Sequence, residues 1–110
     1  MNGTKGGSIM ADNVMHISSM WVLDCYELQK ATGVDWRCTT FNRFSVNSDY
    51  QHLACDDRMV KTLQEDINHL IDEGYEHYSI CKIYKNTLAV INYIREHLAI
   101  TDEVLINIYW

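Results

Sequence analysis

One cluster has the residue types and spacing for cation chemistry: Glu65, His69, Asp72, Glu73 and Glu76. At 100° per residue, Glu65, His69, Asp72 and Glu76 fall along one face of a helix. Glu65 and His69 stand at i, i+4 and His69 and Asp72 at i, i+3, so their side chains are neighbours. Carboxylate and imidazole in that arrangement are donors a divalent metal accepts. A single helix presents too few preorganised ligands, however, and we assign no metal to it. Two readings ask for less: a solvated outer face, which any amphipathic helix needs, or an acidic surface that binds a partner.

Cysteine chemistry is the second possibility. Cys55 lies near His52 in the chain, and a hairpin would bring Cys38 beside either. A nucleophilic thiol needs a base within hydrogen-bond reach and a lowered pKa, and the spacing supplies neither. Cys25, Cys38, Cys55 and Cys81 contain no C-x-x-C pair, so they are read as free thiols, mostly buried. Asp56-Asp57-Arg58 looks like a carboxylate pair with a cation, but helix capping accounts for it without chemistry. His16, His77 and His97 are isolated. No phosphate-cradling glycine loop, H-E-x-x-H, G-x-S-x-G or EF-hand loop occurs. No catalytic residue and no cofactor is therefore assigned.

The formal net charge of −6 argues against direct binding of nucleic acid. Its distribution is uneven. Asp49, Asp56, Asp57, Glu65, Asp66, Asp72, Glu73 and Glu76 face only Arg58 and Lys61 between positions 49 and 76, while the remainder of the chain is balanced. Trp36, Tyr50, Tyr75 and Tyr78 flank this acidic segment, as aromatic residues do at binding surfaces; packing onto a sheet explains each one singly as well.

The elements that would position these residues follow from pattern. Ser18 or Ser19 caps a helix over 20–28 that stops near Gly33. Residues 37–46, rich in Thr, Phe and Val, read as a strand. The turn 47–49 then returns the chain as a strand over 50–55, with an early helix capped by Ser48 as the competing reading. Residues 56–73 form the clearest helix, with Val60, Leu63, Ile67, Leu70 and Ile71 as its apolar stripe and Gly74 as its stop. Residues 78–84 read as a strand. Asn86 caps a further helix carrying Leu88, Ile91, Ile94 and Leu98, and 104–110 alternate as a strand. Strand, helix and strand in that order predict a C-terminal βαβ unit.

The expected fold is α+β. It is a single small domain over 14–110, with a mixed β-sheet of about four strands and about three helices, behind a flexible tail over residues 1–13. With 47% hydrophobic residues, 22% charged residues and no proline, the composition is globular. No apolar run approaches the roughly 20 residues of a membrane span. The polar, glycine-rich start carries no signal-peptide core, so the expected compartment is the cytoplasm.

The expected function is that of a small acidic, non-enzymatic binding protein for a partner with a basic surface. Inhibitors from phages or mobile elements, antitoxins and immunity proteins work on this logic, blocking a basic, nucleic-acid-handling partner. Abundant Ile, Asn and Tyr without Pro suit an AT-rich gene such as many phages carry. Glu65, His69, Asp72, Glu73 and Glu76 are the expected partner-binding residues. Two rivals stay open: a small enzyme or metal-dependent protein using His69 or a free Cys, and a structural subunit that forms a homo-oligomer.

Overall fold

The computed structural model describes residues 14–17, 20–40 and 50–108. In chain order these form β1 (Val14–Ile17), β2 (Met20–Asp24), α1 (Cys25–Thr32), a 3-10 turn at Trp36–Cys38, and β3 (Tyr50–Ala54). Then come α2 (Asp57–Asp72), α3 (Ser79–His97) and β4 (Glu103–Asn107). The architecture is α+β. β4 lies between β2, to which it runs parallel, and β3, to which it runs antiparallel. β1 pairs antiparallel with β2 on the far side.

The sheet is mixed, as expected, but its members differ from the expected strands. Of the four segments read as strands, 50–55 and 104–110 each contain one among the described residues. The described part of 37–46 holds the end of the 3-10 turn, and 41–49 lie outside the described residues, as does the tail at 1–13. Residues 50–54 form a strand rather than an early helix, and their antiparallel partner is β4, with Leu53 opposite Val104.

Residues 20–28, read as one helix, divide at Asp24. Trp21, Val22 and Leu23 favour a pleated surface, and β1 and β4 supply hydrogen-bonding neighbours on both sides. Asp24 then caps α1, its Oδ1 accepting from the N–H groups of Tyr26 (2.7 Å) and Glu27 (3.3 Å). Gly33, at φ 75°, ends the helix as expected.

The largest correction concerns residues 78–84, which are helical. α3 runs unbroken from Ser79 to His97, so there is no C-terminal βαβ unit. An α2–α3 hairpin instead joins two adjacent antiparallel strands, β3 and β4. Asn86, expected as an N-cap, sits mid-helix and its Nδ2 donates to the Cys38 carbonyl at 3.1 Å. The apolar positions explain the continuity. Cys81, Tyr84, Leu88, Ile91, Ile94 and Leu98 recur at three- and four-residue steps, which only a helix turns to one side. The β-favouring Tyr78, Ile80, Ile83 and Tyr84 are overridden by that packing.

The helices cover one face of the sheet. Leu23, Leu53, Val104, Ile106 and Ile108 are buried against Leu28, Leu63, Val90, Ile91 and Ile94. Strand alternation brings Leu23 and Ile106, and Leu53 and Val104, together in register. No helix among the described residues is long and apolar enough to cross a membrane.

Candidate functional site

α2 is built as the sequence predicts. The Asp56 side chain accepts from the Met59 N–H at 3.0 Å and caps the first turn. Leu63 and Ile67 are buried, Val60 and Leu70 half-buried. Ile71 is the exception among the expected stripe residues, since it is exposed.

That inward stripe turns Glu65, Asp66, His69 and Asp72 to solvent, and all four are exposed. The strip ends earlier than expected. Asp72 is the last helical residue, Glu73 caps the helix, and Gly74 takes φ 87°. The N–H of Gly74 bonds to the Ile71 carbonyl (3.1 Å) and that of Tyr75 to the Leu70 carbonyl (2.8 Å), the paired bonds of a Schellman cap. Glu76 therefore lies beyond the helix, in the turn to α3, and does not continue the face of Glu65, His69 and Asp72. Its i, i+4 spacing from Asp72 would bring it onto that face only if α2 ran one turn further.

None of Glu65, Asp66, Asp72, Glu73 and Glu76 enters an ion pair among the described residues. The ion pairs lie elsewhere: Lys30–Glu27, Arg37–Asp35, His52–Glu103 and Arg95–Asp57. Among the described residues no three His, Cys, Asp or Glu side chains converge closely enough to hold a metal ion.

Asp56, Asp57 and Arg58 do not form a chemical unit. Asp56 caps, and Asp57 Oδ1 accepts from Arg95 Nη2 of α3 at 2.6 Å. Arg95 Nη1 donates in turn to the Cys55 carbonyl. This half-buried arginine, invisible as a sequence motif, clamps the start of α2 to α3.

Cys25, Cys55 and Cys81 are buried and Cys38 is exposed. Burial pushes the Cys55 thiol up to about 12, the opposite of what a nucleophile needs. Its Sγ faces the Leu53 carbonyl at 3.8 Å, while His52 turns its ring to Glu103 (3.5 Å).

The aromatic residues flanking the acidic segment separate into two groups. Trp36 is buried, edge-on to Tyr26 with centroids 6.2 Å apart. Tyr50, Tyr75 and Tyr78 are exposed. Tyr75 and Tyr78 meet edge to face across the α2–α3 turn, with centroids 4.9 Å apart.

Chemically, α2 and the turn after it offer carboxylates, two imidazoles (His69 and His77) and tyrosine rings. Such a surface attracts cations and cationic proteins. Compared with known proteins, the chain matches no family model, no curated protein and no solved structure.

Proposed function

We propose that this chain is a small acidic binding protein, without catalysis of its own, that sets the outer face of α2 against a basic surface of a protein partner. One observation carries the reading. Glu65, Asp66, Asp72, Glu73 and Glu76 are all exposed, and none has an ion-pair partner among the described residues. Asp24, Asp35 and Asp56, by contrast, are used as caps, and Asp57 as an anchor for Arg95.

Uncompensated carboxylates on a rigid helix project a field over about a Debye length, roughly 8 Å at physiological ionic strength. Such a field speeds and orients encounter with an oppositely charged surface. Enzymes that handle nucleic acid carry such basic surfaces, and an inhibitor of the phage, antitoxin or immunity type is the class this reading favours.

The test is charge reversal. Immobilised wild-type protein is compared, on host extract, with Glu65→Lys/Asp72→Lys/Glu73→Lys and with a control of equal size, Glu96→Lys/Asp102→Lys/Glu103→Lys. A basic protein should be retained by the wild type and the control, lost from the first variant, and released by raised salt. Its association rate, not its dissociation rate, should carry most of the loss. Equal retention by both variants would reduce the acidic strip to a solvated face.

A further inference from the structure

Six large apolar side chains are exposed among the described residues, and three of them, Ile71, Tyr75 and Tyr78, lie at the α2–α3 turn. Scattered single exposures need no explanation, but a concentration of this kind marks a contact surface. Tyr78 is the most exposed of the six, at 59%.

These rings do not stand on a loose loop. Tyr75 is held by its N–H bond to the Leu70 carbonyl and accepts from the Tyr78 N–H at 3.0 Å. The Tyr78 carbonyl accepts in turn from the N–H groups of Cys81 and Lys82 at the start of α3. Two packed helices thus fix both residues, and the rings steady each other edge to face. Anchors already ordered in the free protein lose little entropy on binding.

Asp72, Glu73 and Glu76 neighbour them in the chain, exposed and unpaired among the described residues. Charge complementarity selects a cation for this place and disfavours a second copy of an acidic chain. Ring faces beside carboxylates favour guanidinium over ammonium. Guanidinium is planar and weakly hydrated, stacks on tyrosine and pairs with carboxylate through two N–H groups.

We propose that the α2–α3 turn is the anchor of the partner surface: Ile71, Tyr75 and Tyr78 receive an arginine-bearing segment of a basic protein, and Asp72, Glu73 and Glu76 pair with its guanidinium groups. This rests on the binding function proposed above, and moves its centre from the middle of α2 to the end of it.

The probes are two synthetic peptides, one alternating arginine with leucine and one alternating lysine with leucine, titrated into the 15N-labelled full chain. Shift changes should centre on residues 71–78, and the arginine peptide should bind more tightly than its lysine counterpart. Tyr75→Ala/Tyr78→Ala should weaken the arginine peptide by about tenfold or more, as loss of interface anchors does. Tyr75→Phe/Tyr78→Phe, which keeps the rings, should stay within about twofold, and thermal melts should show both variants folded. Glu65→Gln/Asp66→Asn, farther back on α2, should weaken binding less than loss of the tyrosine pair, and Glu96→Gln/Asp102→Asn, outside the proposed surface, should stay within about twofold.

Shifts spread along α2, with equal loss from Glu65→Gln/Asp66→Asn and from the tyrosine pair, would overturn the anchor while leaving the acidic binding function standing. Equal binding of the two peptides would overturn the arginine preference. Concentration-dependent shifts at 71–78 without peptide would give the turn to a second copy and overturn the proposal. No salt-dependent binding of either peptide would sink both readings.

Discussion

Helices α2 and α3 pack side by side but face different surroundings. α2 rests one narrow stripe, centred on Leu63 and Ile67, against the core and gives the rest to water. α3 also touches α1 and the 3-10 turn, and buries Cys81, Thr87, Val90, Ile91 and Ile94. α2 begins with a capping carboxylate and ends in a glycine turn, whereas Tyr78 at the start of α3 makes no side-chain cap. A helix bordering water must satisfy its ends and polar face with its own residues. A helix held between other elements gains its stability from packing, and its sequence is freer of local signals.

The division of labour follows from this contrast. α3 carries the core and fastens its neighbours to it. Thr87 Oγ1 accepts from the Thr40 N–H at 2.9 Å, and Arg95 grips the start of α2. α2, relieved of most packing duty, is free to present charge.

The widest gap between the helices should appear in their cores. Ile94→Ala should destabilise by about 3–5 kcal/mol and Leu63→Ala by about 2–3 kcal/mol, read from urea midpoints at constant m. A larger loss at Leu63 would invert the comparison and make α2 the structural helix.

The joint between the helices can be probed through pH. Cys55 adjoins the Arg95 clamp, and its thiol is raised from an ordinary 9.0 to about 12. A raised folded value means that the unfolded chain loses this proton first. The stabilisation is therefore complete below about pH 9 and falls by about 1.4 kcal/mol per pH unit as pH climbs toward 12. Cys55→Ala should flatten the alkaline loss of stability by about that slope. Identical slopes in wild type and variant would show that water reaches this thiol.

Smallest, and opposite in sign, are the two helix starts. Asp56→Ala should destabilise by about 1 kcal/mol through loss of the bond to Met59. Tyr78→Ser adds a cap where none exists and should stabilise by about 0.5–1 kcal/mol, while removing an anchor ring of the proposed interface. Thermal melts check both. A destabilised Tyr78→Ser variant would show that the exposed ring supports the fold.

Much of this molecule was legible in its residues. Asp56, the Leu63–Ile67 stripe and Gly74 mark α2 because caps and the 3.6-residue period act within a turn or two of chain. Val104, Ile106 and Ile108 alternate as a half-buried strand must. The exposed acids Glu65, His69's neighbour Asp72, and Glu73 lie where that helix puts them.

Tertiary structure decided the rest, because the deciding partners are remote in sequence. Residues 20–24 form a strand since β4, some eighty positions on, offers hydrogen bonds that a helical reading cannot see. Residues 79–84 form a helix although their side chains favour a strand, because three- and four-residue spacing brings Tyr84 to the same interior as Ile91 and Ile94 and buries Cys81. The place of Glu76, Ile71 and the two tyrosines was likewise hidden. Gly74 marks the stop in the sequence, but the Schellman bonds at Gly74 and Tyr75 decide the path beyond it, ending the helix at Asp72, four residues or about one turn short of Glu76.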